Sequence, residues 1–364
     1  MEEHTAALVF LMAEGVGSAT AARLRERHGS FGLALAAVLR GGAGVTAAKR
    51  RALETAFLEG VWERQLNAAA DAGARFVTFG SAGYPDPLSR IARPPVGLFA
   101  RGSGLADQRP MLAVVGSRSA TPHGRLFARE LAASLASAGL TIVSGLARGI
   151  DTAAHEGALD AGALTIAVLG SGLDRVYPRE NAGLAKRIAA SGAVVTEFPF
   201  GTAPLAEHFP MRNRIVAGCS AGVLVIEAVE RSGALITASM ALDEGREVFA
   251  VPGAPDEPGA RGPNGLLRAG AKLVERASDV LEELEGGWGP FQDTASPGER
   301  SEDGVDSAPP TEDSVRAILG TRPLSAGEIA TKLGRPVREI IERLIELELA
   351  GLARVWPGGR YTRS

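Results

Sequence analysis

With 364 residues, 45% hydrophobic and 22% charged, the chain is long enough for two or three domains with real cores. A formal net charge of −3 excludes a globally basic nucleic-acid binder, so any polyanion site has to be a local patch. A single cysteine, Cys219, excludes a disulfide framework and a multi-thiolate zinc site, and aromatic residues at 5% weigh against binding through many exposed rings.

Residues 5–70 read as helices: TAALVFLMAEGVG, SATAARLRERHG, LALAAVLR and TAAKRRALETAFLEGVWERQLNAAADAG. The stretch EGVGSATAARLRERHGS resembles a helix–hairpin–helix, whose glycine turn aims backbone N–H groups at a phosphate; a plain connecting turn is the alternative, because no basic residue follows the glycines closely. From residue 75 the pattern changes, with RFVTF and GLFARG as short strands. Apolar runs then alternate with segments of helical period: LAVVG (112–116), LTIVSG (140–145), LTIAVLG (164–170), AVVTEF (193–198), AGVLVIE (221–227), EVFAVPG (247–253) and AKLV (271–274). Buried strands alternating with helices predict a parallel sheet covered on both faces, a doubly wound α/β domain of Rossmann type.

Residues 286–310 are rich in Gly, Pro, Ser and acids and read as a flexible acidic linker. Helix, helix–turn–helix and a short β-wing follow, the outline of a winged helix. Its second helix, VREIIERLIELELAG, carries Glu339, Glu342, Glu346 and Glu348 against Arg338 and Arg343, which favours protein contact or dimerisation over DNA reading. The expected division is a helical domain at 1–74, the α/β domain at 75–285, the linker at 286–310 and the winged helix at 311–364. The absence of an 18-residue apolar run and of a basic opening to MEEHTAALVF predicts a cytoplasmic protein without membrane contact.

In doubly wound sheets ligands sit outside the carboxyl ends of the strands. The candidates there are Gly116-Ser117-Arg118, the run Ser144 to Gly149 with Gly145 and Arg148, Gly170-Ser171-Gly172, Glu197-Phe198-Pro199, Glu227, and Val251-Pro252-Gly253. Small residues, free N–H groups and an Arg ahead of a helix favour an anion. No G-x-G-x-x-G follows the first strand and no G-x-x-x-x-G-K-[ST] occurs, which leaves a nicotinamide site without its fingerprint and removes a P-loop NTPase. Neither a cofactor nor a metal is expected. A second cluster is Arg212-Asn213-Arg214, whose arginines project to different sides because residues i and i+2 do not share a helix face. Arg179 and Asn181 precede another helix, and Asn181 also suits an N-cap. Asp151 and His155, four apart, have acid–base spacing, but an Asp this early in a helix more often stabilises its N-terminus. Cys219, among small residues, reads as a core filler.

At this point several long motifs become recognisable. GSRSATPHG, VSGLARGIDTAAHEGAL, TIAVLGSGLDRVYPRENAGLA, TEFPFGTAPLAEHFPMRNRIVAGCSAGVLVIEA, RSGALITASMALDEGREVFAVPG and GPNGLLRAGAKLV resemble the DNA-processing protein A (DprA/Smf) family, almost unbroken from about 112 to 285. The flanks are similar to the family's sterile-alpha-motif-like and winged-helix appendages. The resemblance implies an extended Rossmann domain that binds single-stranded DNA, forms homodimers, acts on strands covered by single-strand-binding protein, and helps load the RecA recombinase onto incoming DNA during natural transformation, with no enzymatic turnover. It places the family's DNA-binding basic residues at Arg118, Arg179, Arg212 and Arg214; with the strand-end and helix-start candidates the expected DNA contacts are Gly116, Ser117, Arg118, Gly145, Arg148, Arg179, Asn181, Arg212, Asn213 and Arg214. Met211 stands where many members carry a basic residue, and Ala206-Glu207 where some do. The phosphate of the 114–124 turn would then belong to a single DNA strand.

A rival from another class is an enzyme. The central domain also resembles, more distantly, the lysine-decarboxylase-like phosphoribohydrolases, whose hallmark is P-G-G-x-G-T-x-x-E. The corresponding stretch here, ERSGALITASM, keeps a small phosphate-friendly turn but has no Glu after Thr237.

Overall fold

A computed structural model describes residues 1–288 apart from 43, 107 and 108, and 315–363 apart from 317, 320–323, 334, 336 and 357–359. The chain forms two compact units, Met1–Ser296 and Pro297–Ser364.

The first unit opens with α1 (Glu3–Met12), α2 (Ser18–His28), α3 (Phe31–Leu39), α4 (Ala47–Leu58) and α5 (Val61–Asp71). The sequence from 46 onward has unbroken helical character, yet the chain bends between α4 and α5. Gly60 there adopts φ +60, a left-handed conformation that suits glycine. Glu3 reaches across from α1 and accepts the N–H groups of Phe31 and Gly32, both at 2.9 Å, in the first turn of α3, where no intrahelical acceptor is available. Val9, Phe10, Phe31, Leu35 and Leu53 close a core among these helices. Leu8 turns the other way and packs with Ala69, Phe99 and Leu169, which fixes the helices to the sheet.

Among the described residues the sheet has nine strands: β1 (Ala74–Thr78), β2 (Gly97–Arg101), β3 (Met111–Val115), β4 (Thr141–Ser144), β5 (Thr165–Val168), β6 (Ala193–Thr196), β7 (Gly222–Val225), β8 (Glu247–Ala250) and β9 (Lys272–Leu273), with the short α6 (Asp86–Ser89) between β1 and β2 and α9 (Ala182–Ser191) between β5 and β6. Their order is β1-β2-β6-β5-β4-β3-β7-β8-β9. The seven strands from β6 to β9 in that order are parallel, and β1 and β2 extend the β6 edge antiparallel, with Phe76 opposite Phe99 and Ala100 opposite Val195. Alternation along β3 shows why its run is continuously apolar. Leu112 and Val114 enter the core under α7 (Pro122–Ser137) and α8 (Ile150–Asp160), while Ala113 and Val115 enter the one under α10 (His208–Cys219) and α11 (Gly233–Asp243). Each such valine or leucine contributes about 1.5–3 kcal/mol by burial. The chain leaves β3 toward β4, β5 and β6 on one side and returns to β7 on the other. The strand order therefore reverses between β3 and β7, and a crevice opens at their carboxyl ends.

A last helix, Ala277–Trp288, covers the first residues of the expected linker, because Val280 and Leu284 are buried against the α7 side of the core and carry the helix onward. The rest of that linker, 289–310, lies outside the described residues. In the second unit the helices Ala326–Leu333 and Val337–Leu349 pack through Ile329, Ile340, Leu344 and Leu347. Three strands, β10 (Leu324–Ser325), β11 (Ala353–Trp356) and β12 (Arg360–Arg363), form an antiparallel sheet in the order β10-β12-β11. Among the described residues no helix is long and apolar enough to cross a membrane.

Candidate nucleic-acid interface

A cleft of about 810 Å³ occupies the crevice. Gly116, Ser117, Arg118 and Ser119 line it from the end of β3, and Gly145, Ala147 and Asp151 from the turn between β4 and α8. Arg212 and Asn213 come from α10, and Ser232, Gly233 and Thr237 from the start of α11. Tyr177 and Phe209 form its aromatic side, with ring centroids 5.8 Å apart.

The floor is electrostatically prepared. Arg212 is only 4% exposed, and its Nη1 donates to the carbonyl of Val168 at the end of β5. Burial lowers its guanidinium to about 10; Asp151 opposes that shift, and Arg118 adds to it. Asp151 is itself buried, accepts the N–H groups of Gly145 (3.1 Å) and Ala147 (3.3 Å), and has its carboxyl raised by burial against the pull of Arg212. A Cβ on Gly145 would lie 2.0 Å from Arg212 Nη1, so only glycine lets the guanidinium through. Arg118 stands above, exposed, with Cζ 5.1 Å from the Phe209 ring centroid. Two guanidiniums lining one cleft favour an anion there.

Glu227 holds the Arg118 loop at both ends. Its carbonyl accepts Ser117 N–H at 2.6 Å, and its carboxylate accepts Thr121 N–H at 2.9 Å and Thr121 Oγ1–H at 2.5 Å. The Thr121 hydroxyl in turn caps α7 by accepting Gly124 N–H at 2.9 Å. Glu227 stood among the strand-end candidates, but nothing in the sequence pairs it with Thr121, 106 residues away.

The remaining expected contacts divide by position. Arg148 joins Arg118, Arg212, Tyr177 and Phe209 around a narrow recess of about 20 Å³, and its fork is held by Glu180. Arg179 is exposed at the start of the 3-10 turn Arg179–Asn181. Asn181 occupies the N-cap position of the helix Ala182–Ser191 without a side-chain cap; its amide donates instead to Leu146 O and Thr152 Oγ1, each at 2.9 Å, and braces the turn that carries Arg148. Asn213 donates to Gly233 O at 3.2 Å and ties α10 to α11. Arg214 is not in the cleft. It pairs with the buried Glu197 and donates to Arg93 O at 2.9 Å, lining a second cleft of about 720 Å³ on the other side of α10 together with Met211.

Acid–base chemistry at Asp151 and His155 has no common site. His155 is fully buried, hydrogen-bonded through Nδ1 to Thr165 Oγ1 at 2.7 Å, and burial drives its imidazole down to about 3. Burial pushes the Cys219 thiol up to about 12, which keeps it protonated within the core. In the stretch ERSGALITASM, Thr237 donates to Gly233 O at 3.1 Å and the following Ala238 is buried, so the turn faces the cleft without bringing a carboxylate into it. Among the described residues no cluster of His, Cys, Asp and Glu is arranged to hold a metal.

A doubly wound α/β protein with an arginine-lined, anion-accepting crevice is the class these features define. The family model described as DNA recombination-mediator protein A matches residues 75–285, and the DprA winged helix domain matches 299–359. Protein Smf of Escherichia coli is 44% identical over 281 residues, 77% of this chain and 75% of that protein. The DNA processing protein DprA of Bacillus subtilis is 42% identical over 222 residues, 61% of this chain and 75% of that one. The X-ray structure of DprA from Streptococcus pneumoniae superposes with a TM-score of 0.69 at 35% identity, covering 78% of this chain and 99% of that one. DprA from Helicobacter pylori, whose structure is described for its single-stranded DNA binding mode, gives 0.52 at 28% identity over 58% of this chain and 97% of that one. The chain belongs to the DNA recombination-mediator protein A family.

Proposed function

We propose that this protein binds single-stranded DNA in the Arg118–Arg212 cleft without reading its sequence, protects it, and helps load the RecA recombinase onto incoming DNA during natural transformation. The observation that carries this is that the guanidiniums of Arg118 and Arg212 line one crevice between β3 and β7, flanked by Tyr177 and Phe209. Guanidinium forks and backbone N–H groups hold phosphates, the rings offer faces to bases, and neither chooses a base. Family membership and the single-stranded DNA binding of the Helicobacter pylori relative support the same reading.

In this reading Gly116, Ser117, Arg118, Gly145, Arg148, Arg179 and Arg212 meet the strand, and Asn181 and Asn213 brace the elements that carry them. Arg214 contributes from the opposite side of α10, beyond the cleft. The protein works in the cytoplasm as a homodimer, which doubles the basic face and raises avidity, and it performs no turnover of its own. RecA is its protein partner, and strands covered by single-strand-binding protein are among its substrates. The winged helix at 311–364 serves protein contact, which the exposed Val337, Ile341 and Ile345 on its second helix support.

The test is fluorescence anisotropy of labelled single-stranded and duplex oligonucleotides over a range of salt. Single-strand binding that weakens with salt and ignores sequence is the expected result; no binding at low salt overturns the reading. RecA-catalysed strand exchange on DNA precoated with single-strand-binding protein then tests loading.

A further inference from the structure

Next to the cleft lies a second groove, of about 490 Å³, on the outer face of α7 and α8. Four arginines line it: Arg118, shared with the cleft, then Arg125, Arg129 and Arg148. Glu156 and Glu180 are the acids on its wall, so positive charge is in excess. Arg125 and Arg129 are four apart on α7 and therefore share one face, about 5.4 Å apart along the axis. The α8 N-terminus, capped by Gly149 without a side-chain partner, also opens here through Gly149, Thr152 and Ala153. Its helix dipole adds a partial positive charge. The two helices are packed so closely that a Cβ on Gly157 would lie 2.1 Å from Arg129 O, which gives the groove a rigid floor.

Three of these guanidiniums, those of Arg125, Arg129 and Arg148, already have partners. Glu180 takes the fork of Arg148 with both oxygens, one contact at 2.9 Å to Nη2 and a shorter one to Nε, though both side chains are 55% exposed. Asp160 accepts from Arg129 Nε at 2.6 Å, with Glu156 3.7 Å from Nη1. Arg125 donates to Ala120 O at 2.6 Å. A carboxylate presents to a guanidinium the same planar pair of acceptors as two phosphate oxygens. Exposed pairs of this kind are held weakly, so a phosphate that also releases counterions can displace them.

We propose that the α7–α8 groove is a second phosphate track, continuing the strand out of the cleft across Arg118, and that Glu180 and Asp160 are built-in stand-ins which the DNA backbone must displace from Arg148 and Arg129. This rests on the single-strand reading of the cleft. The track lengthens the footprint without adding base contacts. Its resident carboxylates lower affinity for any short or isolated anion that cannot engage several forks at once.

The experiment compares two labelled single strands, one of about 4 nucleotides and one of about 16, the range that one nucleic-acid groove spans. Each is titrated at several salt concentrations against the parent protein, Arg118→Ala, the double variant Arg125→Ala/Arg129→Ala, and Glu180→Gln. All the altered side chains are on the surface, and circular dichroism with a melting curve checks that each variant folds. For the double variant the salt slope on the long strand should fall by about 1.4, two phosphates at about 0.7 each, with the short strand unaffected. Glu180→Gln should bind the long strand about threefold more tightly, the scale of an exposed ion pair.

An unchanged slope on the long strand, or an equal loss on both lengths, overturns the separate track. Unchanged or weaker binding by Glu180→Gln overturns the displacement. Arg118→Ala separates these failures from the other one. If it binds both strands as the parent does, the cleft itself is not the site, whatever the groove does.

Discussion

The Arg118 guanidinium lies 5.1 Å from the centroid of the Phe209 ring, and Phe209 lies 5.8 Å from Tyr177, so a charge and two aromatic faces share one rim of the cleft. The ring packs against a side chain that is otherwise exposed at the cleft. Arg118→Ala should weaken single-strand binding and reduce the salt slope by about 0.7, the loss of one phosphate contact. Arg118→Lys should restore the slope but only part of the affinity, because an ammonium lacks the fork. Phe209→Ala should cost about 1–3 kcal/mol of affinity while leaving the slope unchanged, since stacking releases no counterion. Anisotropy titrations at several salt concentrations read both quantities. A slope that moves with Phe209 instead of Arg118 would contradict this division of labour.

Gly145 packs directly against the Arg212 guanidinium. A methyl group there would sit 2.0 Å from Arg212 Nη1 and 2.3 Å from Cζ. Gly145→Ala should therefore destabilise the protein by about 1–3 kcal/mol and displace the guanidinium from Val168 O. Thermal melting and single-strand binding should fall together. Stability and affinity equal to the parent's would show that Arg212 has room to move without consequence.

Glu227 has no place on the cleft wall, yet it sets where Arg118 stands. Glu227→Gln replaces a charged acceptor of the Thr121 N–H and hydroxyl by a neutral amide, and hydrogen bonds to charged groups are worth about 1.5–3 kcal/mol. The Arg118 loop should loosen: faster hydrogen exchange at Thr121, and weaker DNA binding. Exchange at Thr121 as slow as in the parent would remove Glu227 from this role.

Stability should fall in acid partly through His155. Burial, with Arg212 acting in the same direction, lowers its imidazole from 6.5 to about 3. Between those values the unfolded chain binds the proton and the folded chain does not. Stability is therefore lost as the pH falls through that window, by up to about 1.4 kcal/mol per pH unit. Burial raises the carboxyls of Asp151 and Glu197, which act with the opposite sign. The test is thus a difference: between about pH 6.5 and pH 4, urea unfolding of His155→Leu should lose less stability than the parent. Thr165 keeps its bond to Ile142 O at 2.8 Å in that variant. Parallel pH profiles would refute the assignment.

Much of the α/β architecture was legible because burial on both faces leaves an unmistakable trace. A strand such as Leu112-Ala113-Val114-Val115 feeds two cores in alternation, so it has to be apolar at every position. The small residues at the strand ends marked the crevice for the same local reason, since backbone N–H groups reach an anion only where side chains are absent. The bend at Gly60 was harder to see: a single glycine in a helical pattern is compatible with a continuous helix until its φ is known. The helix running to Trp288 was hidden by a Gly-rich composition and is maintained by Val280 and Leu284 packing on a distant helix.

By itself the sequence determined that parallel strands alternate with helices, that arginines cluster at the strand ends, and that Arg212 and Arg214 point to different sides. Those are consequences of local period and residue chemistry. Only the tertiary structure decided that Arg212 is the buried one beside Asp151, that Arg214 is bound to Glu197 in another cleft, and that the amide of Asn181 is spent on Leu146 and Thr152. A side chain's partner is set by which elements pack against its own, and strand order, with β7 returning to lie beside β3, is a property of the whole sheet rather than of any segment within it.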